Sequence, residues 1–307
     1  MKKAIVAGAT GYIGRYVVQE LLKNNIEVLA IGRRKKSELN SEIRKVIEQT
    51  TYCELDVRNI SLLPRILKDI DWQTSENCVF YNFAWSGFNR LTDGTVEEQT
   101  KNVTFVANSV VVAKEIGCVK FINAGSIEES YVEEYLLHDW KNTSYHSSHD
   151  LYAISKLSAR NMCKLLAYLN KIDYVHTRVS VLVDQSLSGN GFVNTNFRHI
   201  KEAAEFIPAN NQSLFDIIDI EDAAKAYYAL GLYGKNKADY FIGSGSPKRL
   251  NDYFRLFQSY INKEVDSLDT ANSFSSKFFD TQDLQNDTGL DFINSFERLI
   301  KKILNHE

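Results

Sequence analysis

The stretch GATGYIG, residues 8–14, follows the apolar run KAIVAG (3–8) and opens a helical pattern over 12–24. Glycine recurs at its first, fourth and seventh positions, and each one meets a separate steric need. Gly8 permits a tight turn, Gly11 lets a pyrophosphate approach the main chain, and Gly14 lets the helix pack closely on the strand. The helix start adds unpaired N–H groups and the positive end of its dipole. Thr10, Tyr12 and Ile13 complete the loop as cofactor-binding candidates. A glycine triplet alone says little. Placed between the first strand and the first helix, it points to a βαβ unit that binds a dinucleotide.

The rest of the first half keeps that rhythm. EVLAIG (27–32), TTYCELD (50–56), CVFYNFA (78–84), VKFINAG (119–125) and YVHTRVSVLV (174–183) are continuous apolar runs, as strands covered on both faces require. Helical patterns at 12–24, about 60–69, 96–117 and 151–171 separate them. The expected class is α/β: a Rossmann-like doubly wound parallel sheet with a smaller C-terminal substrate-binding lobe. The dinucleotide-binding domain is expected over 1–178, with a segment at about 214–243 returning to it, and the substrate-binding lobe over 179–307. In that lobe the sequence predicts helices at 192–206, 220–233, 250–261 and 293–304, and a strand at 214–219.

Composition excludes more than it assigns. A formal net charge of −3 over 307 residues gives no basis for binding nucleic acid or an anionic membrane. No run of about 18 apolar residues occurs, so no membrane span is expected. The N-terminal MKKAIVAG imitates a signal peptide, but glycines at 8, 11 and 14 break its apolar stretch too early. Cys53, Cys78, Cys118 and Cys163 show no ligand spacing and read as buried thiols of a cytoplasmic protein. The six histidines, His146 and His149 among them, show no metal-binding pattern either.

The tip of the second strand bears on the cofactor, its basic run being either a phosphate clamp or a solvated loop. An NAD-specific loop carries an acidic residue about 20 positions past the glycines, to bond the ribose 2′-hydroxyl. Here the run is AIGRRKK, so Arg33 and Arg34 stand where a 2′-phosphate can be clamped. NADP is therefore expected, with NAD the alternative. Asp56 and Val57 end the third strand where an adenine edge would lie, although a strand-ending Asp is also a common turn residue.

LYAISK (151–156) places Tyr152 and Lys156 one helical turn apart on one face. A phenol with a pKa of about 10 needs a nearby cation to carry protons at neutral pH, and Lys156 supplies it. Ser126 lies 26 residues earlier, in FINAGSIEES (121–130). With these motifs in place, nearly the whole chain resembles the extended short-chain dehydrogenase/reductases, the NAD(P)-dependent epimerase/dehydratase group that acts largely on nucleotide sugars. GATGYIG is similar to that family's TGxxGxxG loop, Tyr152 and Lys156 to its YxxxK, and LFDIIDIEDAAKAYYAL to its DFVYVDDVAxA segment. NFAWSG resembles the strand running under the cofactor, which implies Ala84 at the cofactor and Trp85 and Ser86 at the substrate. QTKNV resembles a helix opening whose asparagine, here Asn102, belongs to the cofactor site.

The resemblance implies roles. Tyr152 would be the general acid/base toward a sugar hydroxyl or ketone, Lys156 would bind the nicotinamide ribose, and Ser126 would hydrogen-bond the reacting oxygen. Glu128 stands where dehydratases of the family carry a base, but Glu129, Ser130 and Tyr131 depart from the VYG that follows there. It is either a second acid/base or a loop carboxylate. After the sixth strand the family's RxxNxxGP is RVSVLVDQ, retaining only Arg178. Where the family has a diphosphate-binding arginine this sequence has Phe215, so either Arg198, Lys201, Lys248 or Arg249 substitutes or the substrate carries no diphosphate. Asn194 is a further substrate candidate, with helix capping as the alternative.

The expected function is an NADP-dependent oxidoreductase of nucleotide-sugar metabolism transferring hydride at sugar C4, a 4-ketosugar reductase or a 4-epimerase. The alternatives are a 4,6-dehydratase using Glu128 and a non-catalytic NADP-binding sensor or scaffold. Apolar stripes on helices 96–117 and 151–171 suggest a homodimer, since the equivalent helices of the family form a four-helix bundle.

Overall fold

The computed structural model describes residues 1–74, 76–87, 95–137, 149–203, 205–210, 213–262 and 277–304. In chain order the first half runs β1 (Lys3–Ala7), α1 (Tyr12–Lys23), β2 (Glu27–Gly32), α2 (Ser41–Ile47), β3 (Thr51–Glu54), a 3-10 turn (Val57–Leu62), α3 (Leu63–Asp69), β4 (Val79–Asn82), α4 (Val96–Glu115), β5 (Lys120–Ala124), α5 (Glu128–Leu137), α6 (His149–Asn170) and β6 (Asp173–Val179). The second half continues β7 (Val181–Val183), α7 (Phe192–Ala203), β8 (Leu214–Phe215), β9 (Ile217–Asp219), α8 (Ile220–Tyr233), β10 (Asp239–Ile242), β11 (Lys248–Arg249), α9 (Leu250–Asn262), α10 (Gln282–Thr288) and α11 (Ser295–Leu304).

β1 to β6 pair in parallel, and β10 closes a seven-stranded sheet in the order β3-β2-β1-β4-β5-β6-β10. The strand order reverses between β1 and β4. In open α/β sheets the crevice at the carboxyl ends of strands flanking such a point is where ligands bind. The apolar runs are continuous because helices cover both faces: Ala4, Ile5, Val6 and Ala7 are fully buried. On one face Phe80 stacks on Phe121 at 5.2 Å, and Phe121 on Tyr174 at 6.3 Å, within a core that takes in residues of α3, α4 and α6.

The chain divides into two compact units, Met1–Arg178 with Tyr227–Tyr240, and Val179–Ala226 with Phe241–Glu307. Residues 227–240 of the stretch at 214–243 group with the first unit, and the rest with the second. That unit has its own core, centred on Phe197, which stacks on Phe257 at 4.9 Å and meets Phe254 and Phe296 at 5.6 and 5.5 Å.

Two apolar runs that read as single strands are each broken at a buried polar residue. Ser180 interrupts 174–183: its N–H donates to Ile242 O at 2.9 Å and its hydroxyl bonds Asp216. Asp216 interrupts 214–219, its carboxylate accepting from Ser244 N–H at 2.8 Å and Ser244 Oγ at 3.1 Å. As a result β7 pairs in parallel with β9, and β8 antiparallel with β11.

Three helices absent from the sequence reading are marked by caps. Asn40 Oδ1 accepts from Ile43 N–H at 2.9 Å at the start of α2. At α5, Glu129 Oε1 accepts from Ser126 N–H and Ser126 Oγ accepts from Glu128 N–H, a helix start of the capping-box kind. Gly289, at φ +72°, ends α10 in the left-handed conformation that glycine favours. Among the described residues no helix is long and apolar enough to cross a membrane, and no cluster of metal-ligating side chains occurs.

Candidate active site

The glycine loop lies at the carboxyl end of β1. Gly8, at φ +81°, and Ala9 both donate N–H to Ile31 O, at 3.0 and 3.1 Å. A Cβ on Gly8 would stand 2.9 Å from Ala84 N, so β1 and the segment after β4 approach as only glycine allows. A Cβ on Gly14 would stand 2.2 Å from Gly8 O, so the first turn of α1 packs directly on the loop. The N-cap of α1 is Gly11, which offers no side-chain cap. Thr10 is buried, with Tyr12 and Ile13 half-buried. These residues fit the pyrophosphate of a dinucleotide: a backbone cradle free of Cβ atoms, at a helix N-terminus.

Arg33 and Arg34 are exposed at the end of β2. Arg34 Nη2 donates to Thr10 O at 2.9 Å, and Tyr52 Oη donates to Arg34 O at 2.6 Å, so loop and strand tip are tied together. Burial, and then the charge of Glu54, pushes the Tyr52 phenol up to about 12. Asp56 caps the 3-10 turn through Arg58 N–H at 3.0 Å and pairs with the Arg58 guanidinium at 2.6 Å. The hydrogen bond from Arg58 holds its carboxyl below the usual range against the opposing effect of burial. Val57 packs on the main core.

At the end of β4, Ala84 and Trp85 are half-buried against the same core. Asn102 is fully buried on α4 and clamps Ser86, accepting from its N–H at 2.8 Å and donating to its carbonyl at 3.2 Å. Gln99, one turn earlier, accepts from the Trp85 indole N–H at 3.1 Å. Nothing in the sequence pattern singles out Gln99; its role exists only once α4 lies beside this segment.

Tyr152 and Lys156 face the same place from α6. Lys156 Nζ donates to Ala124 O at 2.9 Å, two residues before Ser126, and lies 4.0 Å from the Trp85 ring centroid. Trp85 also packs edge-on to Tyr152 at 5.9 Å. The fold therefore gathers Tyr152, Lys156 and Trp85 with the chain leading into Ser126. Ser126 Oγ accepts from Glu128 N–H at 3.3 Å. Glu128 is half-buried at the first residue of α5. His149 opens α6, and His146 lies outside the described residues.

Asn194 lies in the second unit, on α7. It is 5% exposed, its Nδ2 reaches Leu182 O at 3.4 Å, and its buried Oδ1 has no partner among the described residues. The four cations of this unit considered for a diphosphate fare unequally. Arg198 donates to the carbonyls of Leu187 and Gly189, and Lys201 to Ile303 O at 3.2 Å. Lys248 donates to Ser246 Oγ at 3.1 Å, while Arg249 is exposed. Phe215 packs against the apolar core of the unit. Arg178 belongs to the first unit, where it bonds Ser130 Oγ at 2.7 Å and pairs with Glu133.

Comparison with known proteins shows the fold and the family of this chain. dTDP-6-deoxy-L-talose 4-dehydrogenase (NAD(+)) of Aggregatibacter actinomycetemcomitans is 24% identical over 90% of this chain and 96% of its own. The structure is similar to UDP-glucose 4-epimerase of Thermotoga maritima, crystallised with UDP-glucose, at a TM-score of 0.71 and 16% identity over 99% of both chains. It is also similar to the Bordetella bronchiseptica enzyme WbmG in complex with NAD and UDP, at a TM-score of 0.71 and 14% identity over 100% of this chain and 96% of that one. The model of the NAD-dependent epimerase/dehydratase family matches residues 4–243, well over half of the sequence. The chain is therefore an enzyme of the NAD-dependent epimerase/dehydratase family.

Proposed function

We propose that this enzyme is an NADP-dependent oxidoreductase of nucleotide sugars that works at sugar C4, as a 4-ketosugar reductase or a 4-epimerase. The observation that carries the reading is the joint placement of Tyr152, Lys156 and the approach to Ser126, tied by the 2.9 Å bond from Lys156 to Ala124 O. A dinucleotide bound on the glycine loop supplies hydride transfer with the sugar carbon. Tyr152 exchanges the proton of the C4 oxygen, and the Lys156 ammonium favours its phenolate. Ser126 Oγ accepts from Glu128 N–H and keeps its hydroxyl proton to donate to the same oxygen.

Arg33 and Arg34 support NADP over NAD, since a guanidinium pairs with a 2′-phosphate that the ribose of NAD lacks. Gly8, Thr10, Gly11, Tyr12, Ile13, Gly14, Asp56, Val57, Ala84 and Asn102 form the remainder of the proposed cofactor site, and Trp85, Ser86 and Asn194 the substrate contacts. The orphaned Oδ1 of Asn194 suits a sugar hydroxyl. Exposed apolar side chains on α6, at Met162, Leu165, Tyr168 and Leu169, support a homodimer through this helix.

The deciding experiment mixes purified protein with NADPH and a panel of nucleotide 4-keto-6-deoxysugars, following nicotinamide absorbance and product mass. Stoichiometric NADPH loss with gain of two hydrogens marks a reductase. Inversion of a parent nucleotide sugar without net cofactor change marks an epimerase. Loss of water would instead favour a dehydratase with Glu128 as base. No change in any sugar of the panel would sink the proposal.

A further inference from the structure

Three residues past Ser126 the chain buries a carboxylate that the proposed reaction does not use. Glu129 is fully buried, its Oε1 accepting the Ser126 N–H at 2.8 Å and its Oε2 lying 2.9 Å from His176 Nε2. His176, on β6, is also fully buried. Its Nδ1 lies 3.1 Å from Tyr174 Oη and 3.5 Å from Asn123 Nδ2. With the proton on Nε2 directed at Glu129, Nδ1 accepts from Tyr174, and both imidazole nitrogens are satisfied.

In a capping box the glutamate bonds the N-cap N–H through its carboxylate, which has a second oxygen left to satisfy. Here that oxygen is committed to an imidazole in the interior, where an ionised carboxylate is costly unless paired. Burial pushes the Glu129 carboxyl up, but His176, the Ser126 amide and the charge of Lys156 together hold it below the usual range. Among the groups facing the pair, Tyr174 and Tyr227 are neutral phenols raised by burial, and Asp239 carries its own pairs to Arg160 and Lys164.

A second observation concerns Gly125. A Cβ at this position would stand 2.3 Å from Glu129 Oε1 and 2.4 Å from His176 Nε2. The residue before Ser126 therefore lies flat on the pair, and its missing side chain makes room for it. Gly125 N–H is itself fixed to Thr177 O at 2.7 Å.

We propose that the buried Glu129–His176 pair is a positioning device that sets the main chain of Ser126 and so aims its hydroxyl at the reacting oxygen. This inference rests on the reading of Ser126 given above. A charge-assisted bond to the Ser126 amide restrains rotation about the N–Cα bond of that residue, while the bond from Glu128 N–H to Oγ restrains the side chain. Anchoring to β6 through His176 transfers the rigidity of the sheet to the loop. Glu129 touches no substrate; it acts through Ser126.

The test uses full-length protein labelled with ¹⁵N-serine, the Ser126 amide being assigned by its disappearance in Ser126→Ala. In the wild type this amide proton is expected downfield of the other serine amides and slow to exchange. In Glu129→Gln, which keeps volume and an acceptor but removes the charge, it is expected to move upfield and exchange faster. Turnover per dinucleotide-binding site should fall about tenfold to a hundredfold in that variant, with the KM for dinucleotide unchanged. In the Ser126→Ala background, Glu129→Gln should cost nothing further, because both act through one hydroxyl. An unshifted, rapidly exchanging amide in the wild type overturns the inference even where the variant fails to fold, and an additive loss in the double variant overturns it equally. An enzyme that turns over no sugar in the panel would sink the proposed function, while the wild-type amide would still decide the role of the pair.

Discussion

Tyr152 is buried to 5% exposure, with Trp85 packed on its edge and Lys156 one turn away, surroundings that fix its ring tightly. Tyr152→Phe removes one oxygen from that setting and leaves the packing intact. We expect turnover to fall by about a hundredfold to ten-thousandfold, with dinucleotide affinity by fluorescence titration nearly unchanged. Equal losses in both would mean that the phenol holds the cofactor and does not move a proton. Arg33 tests the cofactor choice more cleanly than Arg34, because Arg34 also ties the loop through Thr10 O. Arg33→Ala should weaken NADPH binding about tenfold or more and leave NADH binding unaffected, as loss of one charge-assisted contact to a 2′-phosphate requires. At this scale the glycine triplet and the Tyr-Lys spacing were legible in the sequence, since each depends on neighbours a few residues away. Gln99 and His176 were not, because their partners lie 14 and 47 residues distant.

Individual elements meet the site through steric fit. α1 reaches the loop only because Gly14 has no side chain, a Cβ there falling 2.2 Å from Gly8 O. Gly14→Ala must push the helix away from the strand, and overpacking of this kind costs about 1–3 kcal/mol. The expected outcome is a lower urea midpoint together with lost dinucleotide binding; an unchanged midpoint would refute the close packing. Strand breaks follow from a different force. Ser180 and Asp216 interrupt apolar runs because their buried polar groups must be bonded, and they find each other. α5 was the element most open to reading in advance. Its Ser-x-x-Glu signature at 126–129, ahead of apolar residues, is the capping-box pattern, and Glu129 accepts from Ser126 N–H accordingly.

At the scale of the whole molecule, solvent exposure of α6 and the pairing of buried acids make separate predictions. Leu165 and Tyr168 are 58% and 68% exposed, so sedimentation should give a dimer that Leu165→Asp converts to monomer. A wild-type monomer would rule out this helix as an interface. In the second unit, burial alone would raise the Asp222 carboxyl, but bonds from Lys225, Ser295 and Arg298 hold it below its ordinary value. An acid with a depressed folded pKa contributes stability above its unfolded pKa, and loses it as pH falls through the folded value. Asp222→Asn should therefore lower the urea midpoint at pH 7, with the gap to wild type closing in acid; a gap independent of pH would contradict the pairing. Asp216 and Asp219 have the opposite sign, since burial raises both and their protonation on acidification adds stability. The sequence by itself determined the parallel sheet and the dinucleotide loop, because apolar period and glycine sterics are local properties that the chain carries wherever it goes, and its motifs carried the resemblance to the family. Only the tertiary structure decided that Lys156 bonds the end of β5, that Phe215 belongs to a core, and that Glu129 has a histidine beneath it. Those contacts join residues far apart in the chain, and the energy of a buried polar group is set by whichever partner the fold brings to it.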